Sequence, residues 1–409
     1  MSSYELTETP GTYKIFFKDH GITITISQLR TERDDTKGEA LIETNLPGTE
    51  PHIHQARFNL TSTASRRTLQ KLCEERLEEV PWNQLIEIAS VTVLRKSREG
   101  EPTVQLSQVD HRSKLQYRIN PLFPEGMMSL MYGPGGIGKS YFALWLAAMV
   151  DSGLSPSGTN LEVEPGNVLY LDYEEDKEAL ARRYSQIMAG AEGGLEPPTD
   201  SIRYRFCHRP LSRDLDEIRK IIHEHRIEFV IVDSCVPAVG GEPESADKAS
   251  EYLSALRSLR VSSLTLAHTS KQGDGPFGSV FFTNLPRSVF EVKATQEPES
   301  DTLHLGLYHK KVNSGRLLKP MGFQLKWAGE ALSVRSVQVR DIPDLEQGLP
   351  LKERIANILT AGKQTIEDMA EQLDTTPATI RTKLNSDKNR FTKMGKQWGL
   401  SAPPTSFME

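Results

Sequence analysis

A chain of 409 residues that is 37% apolar and 25% charged, with a formal net charge of −6, has the composition of a globular protein with several domains. The acidic balance argues against a protein that coats nucleic acid over its whole surface, although it permits a local basic patch. No apolar run reaches the ~18 residues of a membrane span. Because the N-terminus also lacks a basic-then-apolar leader and the cysteines have no metal-site spacing, we expect a cytoplasmic protein with no membrane partner.

The first predicted element is a β-hairpin over residues 12–30, where apolar and polar residues alternate around a His-Gly turn. Helical periodicity follows over residues 63–90. Its predicted buried positions are Leu69, Leu72, Leu77, Leu85 and Ile88. These patterns predict a small α+β N-terminal module at residues 1–110, to which no motif assigns a role.

Between residues 127 and 332, short apolar strands alternate with helical patterns. This alternation predicts an α/β domain with parallel strands and crossover helices, which we place at residues 111–340. In chain order, the predicted strands read MMSLMY, NVLYLDY, EFVIVDS, SSLTLAH, SVFEVK, LHLGLYHKK and FQLKW.

A glycine-rich turn separates the first of these strands from a long apolar helix, and its sequence GPGGIGKS fits G-x-x-x-x-G-K-[ST]. Glycines let consecutive backbone N–H groups face an anion, and the helix N-terminus adds a favourable dipole. Lys139 can reach the β- and γ-phosphates of ATP, and the hydroxyl of Ser140 can bind Mg²⁺. A turn with an incidental lysine is the alternative, but the complete motif between strand and helix favours a phosphate loop. The predicted nucleotide-binding residues are Gly133, Gly135, Gly136, Ile137, Gly138, Lys139, Ser140 and Tyr141.

The second strand, VLYLDYEED, carries acidic residues at its carboxyl end, which is the edge where ligands bind in open parallel sheets. Glu174 is the predicted catalytic base, able to polarise the water that attacks the γ-phosphate, and Glu175 is the second choice. Alternatively, these glutamates form the acidic first turn of the next helix and stabilise its dipole. One glutamate in each role would satisfy both interpretations.

The third strand ends in FVIVDS, four apolar residues followed by Asp233. This is the pattern of a Walker B strand, whose aspartate holds the Mg²⁺ shell. An apolar strand that ends in aspartate is common by chance, but its position downstream of a phosphate loop favours the functional interpretation. The predicted metal-binding residues are Ser140 and Asp233.

A further core strand, SLTLAHTSK, ends in polar residues that we expect beside the γ-phosphate. We interpret His268 as a phosphate sensor, with a structural histidine as the alternative. The glycine-rich stretch KQGDGPFGSVFFTN follows at residues 271–284. It fits either a plain surface loop or a mobile loop that faces a ligand or a DNA channel.

Cationic residues adjoin the next two strands, with Arg287 before one and Lys310 and Lys311 at the end of the other. Such groups can reach the phosphate bound by a neighbouring subunit in an arginine-finger arrangement. Surface cations without this role are the alternative.

The combined pattern resembles the RecA-like hexameric ATPases of the plasmid RepA type. The stretches that carry the resemblance are, in chain order, GPGGIGKS, VLYLDYEED, FVIVDS, LAHTSK, GSVFFTNLPRSVF and HKKVNSG. These AAA family ATPases are ring-forming replicative helicases, and the resemblance covers about half of the chain, residues 120–330. The chain departs from the family in its N-terminal module, its C-terminal extension and the SCVPAVGG that follows the third strand. The resemblance implies that Lys139 and Ser140 contact phosphate and Mg²⁺, that Glu174 is the catalytic base and that Asp233 binds the metal. It also implies that His268 is a sensor and that Arg287 is a finger acting in trans.

The last predicted domain, residues 350–402, has the pattern of a winged helix-turn-helix, with three helices and a hairpin that turns at Met394-Gly395. Thr365 opens the second helix with a capping box, and Thr376 caps the third before Pro377. The third helix would present polar side chains to a DNA groove: Thr379, Arg381, Thr382 and Lys383.

Charge supports contact with DNA in this domain, because residues 381–396 hold six lysines and arginines against Asp387 alone, a balance of +5. A winged helix that only contacts protein is the alternative.

The leading hypothesis is an ATP-driven DNA motor that forms a homo-oligomer, expected to be a hexamer. Single-stranded DNA would lie in the ring channel, and duplex DNA would bind the winged helix. The second hypothesis is a nucleotide-switched initiator, loader or transcription regulator that does not unwind DNA. A strand-exchange recombinase is disfavoured because no polymerisation arm is evident.

Overall fold

The computed structural model describes residues 3–9, 11–100, 103–109, 115–154, 158–191, 202–270, 273, 275–313 and 315–401. Contacts between residues divide the chain into two compact units. The first comprises Met1–Lys114 with Leu211–Arg226, and the second comprises Leu115–Pro210 with Ile227–Glu409. The three predicted domains remain a prediction. No helix in the described ranges has both the length and the apolar content needed to cross a membrane.

The first unit contains an antiparallel sheet of five strands in chain order: β1 (Tyr4–Thr9), β2 (Thr12–Phe17), β3 (Ile22–Glu32), β4 (Asp35–Thr44) and β5 (His52–Asn59). The predicted hairpin is confirmed as β2 and β3, which pair from Thr12 opposite Ser27 to Phe17 opposite Ile22. The isoleucines of ITITI in β3 are fully buried, whereas the threonines between them are not. This alternation gives the sheet one apolar face and one polar face.

Three helices complete this unit: α1 (Thr63–Glu74), α2 (Trp82–Arg98) and α5 (Leu215–Glu224). Leu69 and Leu85 are buried as predicted. The prediction for Leu72 is wrong, because this side chain is 36% exposed and Cys73, four residues after Leu69, lies in the core instead. The buried stripe of α1 follows the i, i+4 spacing and leaves Leu72 outside it. The remaining two predicted positions, Leu77 and Ile88, are partly buried.

The second unit contains a sheet of nine strands in its described part, ordered β11-β10-β12-β13-β8-β14-β15-β16-β17. The first six strands are parallel and the last three are antiparallel. The mainly parallel sheet is thus confirmed, but the last strands are joined by short connections rather than crossover helices. The strands are β8 (Met128–Gly133), β10 (Asn167–Asp172), β11 (Arg203–Phe206), β12 (Ile227–Asp233), β13 (Ser262–His268), β14 (Ser288–Thr295), β15 (Thr302–Val312), β16 (Met321–Ala328) and β17 (Ala331–Val337).

The helix after the glycine-rich turn is the most buried of this unit, with ten of its fourteen residues buried. Phe142, Ala143, Leu146 and Ala147 are all at most 1% exposed, as expected for residues that anchor this helix. It packs against β10, β12 and the following helix. The helices are α3 (Lys139–Ser152), α4 (Lys177–Ala189), α6 (Cys235–Val239), α7 (Ala246–Ser258), α8 (Phe281–Asn284) and α9 (Pro343–Glu346). A small sheet of order β7-β6-β9 uses β6 (Tyr117–Asn120), β7 (Phe123–Pro124) and β9 (Glu162–Val163).

The end of the chain folds around its own apolar cluster, which includes Met369, Ile380 and Trp398. The predicted three helices and hairpin are present, and Thr365 and Thr376 cap the second and third helices by accepting N–H groups at 3.2 Å. A short strand, β18 (Gln364–Thr365), adds to the hairpin in the order β18-β20-β19. The assignment as a winged helix-turn-helix remains a prediction. The other elements are α10 (Leu351–Thr360), α11 (Ile366–Gln372), α12 (Pro377–Asn385), β19 (Phe391–Met394) and β20 (Gln397–Leu400).

A buried histidine makes the stability of the second unit depend on pH. His309 on β15 is 8% exposed and stacks on Phe290 at 4.4 Å between ring centroids. Its Nδ1 accepts the N–H of Leu318 at 3.2 Å. Burial lowers the pKa of His309 from 6.5 to about 4. The imidazole ring of His309 therefore stays neutral in the folded protein over a pH range in which the unfolded chain takes up a proton.

We expect acidification to destabilise this unit through His309. Between pH 6.5 and pH 4 only the unfolded chain binds the proton, so stability falls as the pH falls, by about 2–3 kcal/mol at pH 4.5. Urea unfolding of the wild type and of His309→Gln at pH 7 and pH 4.5 measures this contribution. The variant is expected to be less stable at pH 7 but to lose less stability on acidification. An equal loss in both proteins would contradict the assignment.

Candidate nucleotide-binding site

The parallel strands bring the predicted site residues to one edge of the sheet. Asp172 at the end of β10 pairs with Asp233 at the end of β12, and His268 at the end of β13 pairs with Gly133 at the end of β8. Because the carboxyl ends of parallel strands meet at the same edge, four stretches that are distant in sequence become neighbours.

The turn between β8 and α3 requires glycine at its ends. A Cβ on Gly133 would lie 2.6 Å from the carbonyl oxygen of Val292, and Gly138 has a φ of +84°. A larger residue at either position would collide with the sheet or strain the backbone. Between these glycines, Gly135, Gly136 and Ile137 follow Pro134 and lead the chain to the N-terminus of α3. The turn thus has the backbone form that suits an anion in front of a helix N-terminus.

Lys139 lies at the start of α3 and is 92% buried, since 8% of it is exposed. Its ammonium group donates to the carbonyl oxygens of Gly133 at 3.0 Å and Pro134 at 2.6 Å. Burial lowers its pKa, and the negative charges of Asp233 and Glu174 oppose this shift. Two carbonyl oxygens of the loop therefore hold the lysine in place, where it interacts electrostatically with Asp233 and Glu174.

The two predicted metal ligands contact each other. The Ser140 hydroxyl and the phenol of Tyr170 both hydrogen-bond to the Asp233 carboxylate, the second at 2.7 Å. Burial raises the pKa of Asp233, while these two hydrogen bonds act in the opposite direction. A hydroxyl and a carboxylate are the hard oxygen donors that Mg²⁺ takes, with waters and substrate phosphates completing its shell. Two such protein donors beside a phosphate loop fit a Mg²⁺ ion whose remaining ligands are waters and nucleotide phosphates.

The acidic turn after β10 separates the two glutamates. Oδ1 of Asp172 accepts the backbone N–H groups of Glu174 at 2.9 Å and Glu175 at 3.0 Å, which fixes the turn. The Ser234 hydroxyl donates to the Glu174 carboxylate, whose charge acts on both Lys139 and Asp233.

Glu175 instead pairs with the guanidinium of Arg183 on α4 at 2.6 Å. Glu174 thus lies with the loop lysine and Asp233, whereas Glu175 contacts a side chain of α4. The catalytic role of Glu174 stays a prediction.

The predicted sensor lies beside the phosphate loop. The His268 imidazole would be 3.7 Å from a Cβ on Gly135, and the Thr269 N–H donates to the carbonyl oxygen of Gly133 at 3.2 Å. The loop then returns, with the Phe277 N–H donating to the carbonyl oxygen of His268 at 2.7 Å. Lys271, Gln272 and Asp274 of the glycine-rich stretch lie outside the described residues.

The ring of Tyr141 packs against other side chains and does not face the phosphate loop. The ring meets Trp327 edge-on at 5.6 Å and carries the Arg183 guanidinium at 4.6 Å. This cation–π contact joins α3 to α4. The backbone N–H, in the first turn of α3, is the group of Tyr141 that suits a phosphate.

The predicted finger, Arg287, lies at the opposite edge of the sheet from the loop of its own chain. It precedes Ser288, which pairs with Ser129 four residues before Gly133, a displacement of roughly 13 Å along a strand. Its side chain is exposed. Burial lowers the pKa of Lys311, and the nearby Arg287 lowers it further. The Lys311 ammonium donates to the carbonyl oxygens of Asn284 and Pro286. Lys310 pairs with Glu291 at 3.1 Å.

Sequence reasoning missed Tyr170 and Ser234, which hold the carboxylates of Asp233 and Glu174. The signal for Ser234 was weak but present, since a hydroxyl directly follows the Walker B aspartate. Tyr170 gave no signal, because an apolar strand pattern does not distinguish a packed tyrosine from one that donates a hydrogen bond.

The phosphate loop, the buried lysine and the paired serine and aspartate define a P-loop ATPase domain. In agreement, a family model described as an AAA domain matches residues 96–274, less than half of the chain. No curated protein matches the sequence.

Among solved structures, the chain is similar to the crystal structure of the KaiC-like protein PH0186 from the hyperthermophilic archaeon Pyrococcus horikoshii OT3. The identity is 15%, the match covers 54% of this chain and 94% of that chain, and the TM-score is 0.38. This similarity is too low to support a fold assignment.

Proposed function

We propose that the chain is an ATP-hydrolysing, Mg²⁺-dependent, DNA-associated oligomeric ATPase with a RecA-like core, a replicative helicase of the plasmid RepA type. One observation carries the hydrolytic part of this proposal. Lys139, Glu174 and Asp233 come from three separate stretches and act electrostatically on one another at the mouth of the phosphate loop. A loop that only binds nucleotide has no need for the glutamate.

The position of each site residue suits it to one part of ATP binding or hydrolysis. The backbone N–H groups of the loop and of the first turn of α3 bind the β- and γ-phosphates, and Lys139 exchanges its carbonyl contacts for phosphate oxygens. When bound by Ser140 and Asp233, Mg²⁺ supplies charge neutralisation on the phosphates. Glu174, held by Ser234, orients the attacking water and accepts its proton.

The position of Arg287 supports an oligomer. Because it lies at the edge of the sheet away from its own phosphate loop, it can assist hydrolysis only at the site of another copy. An arginine supplied in trans stabilises charge on the transferred phosphoryl group. Lys311 lies close enough to Arg287 to interact with it electrostatically. A closed ring of such copies is the arrangement that the resemblance implies, with a hexamer as the expected size.

Exposed cations on the end of the chain support contact with DNA. Arg381, Lys388 and Lys393 line a cavity of about 400 Å³ between α12 and the hairpin, together with the buried Trp398. Cations placed around a groove suit the phosphates of a duplex. The proposed role of this winged helix is to recruit duplex DNA while the ring holds a single strand.

The test is ATP hydrolysis with and without single-stranded DNA, combined with strand displacement on a forked duplex. The proposal predicts hydrolysis that rises several-fold with the single strand, and unwinding that requires ATP. Slow hydrolysis that ignores single strands, with no unwinding, would instead favour a nucleotide-switched initiator, loader or regulator. Absence of hydrolysis under both conditions would refute the ATPase assignment itself.

A further inference from the structure

The first unit carries a cavity of about 340 Å³ where β3 and β5 end and β4 begins. Three cations from three adjacent strands line it, Arg30, Lys37 and Arg57, and all three side chains are exposed. Among the described residues that line it, Glu39 is the one acidic residue, so three positive charges face one negative charge. The 409-residue chain as a whole is acidic, with a net charge of −6. The cavity is thus a positive region of an otherwise acidic protein.

The strand register places these cations against one another. Arg30 pairs directly with Lys37, and Arg57 lies diagonally from Lys37 because it pairs with Glu39. Like charges directly opposite each other destabilise a sheet. A bound anion relieves this repulsion, so anion binding explains why the cations are placed together.

A β-bulge creates this register. Between Ser27 and Arg30 the pairing shifts by one residue, and Gln28 adopts a φ of +52°. Without the extra residue, strict alternation would direct Arg30 to the buried face of β3. Bulges often re-aim a side chain at a functional position, and a positive φ at a residue other than glycine persists where surrounding structure holds it. Here the bulge places Arg30 beside Lys37.

The acids near the cavity interact with two of its three cations. The Glu39 carboxylate accepts a hydrogen bond from Gln55 at 2.5 Å. Asp216 of α5 accepts the backbone N–H of Gln28 and interacts with Arg30, and the Asp35 carboxylate interacts with Lys37. Within the contacts of the described residues, the Arg57 guanidinium has no ion pair. The cavity therefore offers at least one guanidinium that is available to a ligand.

We propose that this cavity is a phosphate-binding site of the N-terminal module. Guanidinium groups bind phosphate oxygens through paired, charge-assisted hydrogen bonds. The phosphate can belong to the backbone of a nucleic acid or to a free phosphate compound such as inorganic phosphate. The site uses residues of the first unit alone, so it does not depend on the function proposed for the nucleotide site.

Site-specific arginine modification of the full-length protein tests the proposal. The protein is treated with phenylglyoxal while the phosphate loop is saturated with ADP and Mg²⁺, and modified peptides are quantified by mass spectrometry. The probes are inorganic phosphate and a 20-nucleotide single strand. We expect at least one probe to slow modification of Arg30 and Arg57 several-fold. The exposed Arg67 on α1, which is outside the cavity lining, is the matched internal control.

Each outcome decides a point. Protection by the single strand alone identifies a nucleic-acid backbone, and protection by inorganic phosphate identifies a free phosphate compound. Equal modification rates with and without both probes, or equal protection of Arg67, overturn the proposal.

Binding of the labelled strand by Arg57→Gln gives a second measurement. For a nucleic-acid ligand, this variant lowers the slope of log affinity against log salt by about 1, whereas Lys14→Gln, an exposed cation on β2, leaves the slope unchanged.

Discussion

Glu174→Gln is expected to lower the rate of ATP hydrolysis by about 10²–10⁴-fold, the usual contribution of a general base. Nucleotide affinity should change little, because Lys139 and the backbone of the loop supply the phosphate contacts. Glutamine keeps the shape and can still accept the Ser234 hydrogen bond, but it cannot take a proton from water. Single-turnover hydrolysis, together with fluorescent ADP binding, measures both quantities.

Two further variants make the assignment specific. Glu175→Gln is the matched control, because this carboxylate pairs with Arg183, and we expect it to retain hydrolysis within about tenfold since a partly exposed ion pair is worth about 1 kcal/mol or less. Ser234→Ala removes one hydrogen bond from Glu174 and should slow hydrolysis by about fivefold, the equivalent of about 1 kcal/mol. If Glu175→Gln abolished hydrolysis and Glu174→Gln did not, the roles of the two glutamates would be reversed.

The phosphate loop and the strand ends could be predicted from sequence because they obey local rules. The glycines from Gly133 to Gly138 indicate a turn whose backbone can surround a phosphate. An apolar strand that ends in Asp233 or His268 indicates that this polar residue lies at the carboxyl edge of the sheet. Parallel topology then brings these ends together without further information. The same rules failed where short connections allowed antiparallel pairing, as in β15, β16 and β17.

Tertiary contacts that leave no periodic trace could not be predicted. Both glutamates of the acidic turn are compatible with catalysis until Arg183, eight residues later, is seen to pair with Glu175. The membership of α5 in the first unit is similarly hidden. A Cβ on Gly11 would lie 2.1 Å from Asp216, a contact that spans about half of the chain. Sequence patterns report which face of an element is apolar, but not which distant element covers it.

Charge counting in the last domain needs a structural correction. One of the six cations within residues 381–396, Arg390, makes a bidentate pair with Glu353 at 2.6 and 2.7 Å. The acidic residue of this stretch, Asp387, pairs with Lys352 at 2.5 Å. Arg390 therefore holds the hairpin to α10 rather than facing solvent. The cations that remain for DNA are Arg381, Lys383, Lys388, Lys393 and Lys396, all of which are exposed.

Replacing Arg381, Lys388 and Lys393 together by glutamine is expected to weaken duplex binding by about 10²-fold near 0.15 M salt. Each lost phosphate contact removes about 0.9 from the slope of log affinity against log salt, so the slope should fall by about 3. Fluorescence anisotropy of a labelled duplex at several salt concentrations measures the slope and the affinity. ATP hydrolysis without DNA should be unchanged, because the proposed catalytic residues belong to the P-loop ATPase domain.

Arg390→Gln separates a loss of DNA contact from a loss of structure. Its pair with Glu353 is about one-third exposed on both sides, so screening limits its contribution to about 1 kcal/mol, seen as a lower unfolding midpoint of the second unit. The pair also lowers the pKa of Glu353, so the wild type should lose the same increment as the pH falls below the ordinary glutamate value. The salt slope of Arg390→Gln should match the wild type. If the triple variant also kept the wild-type slope, the cations around α12 would not contact DNA, and the proposed DNA-binding role of this domain would be wrong.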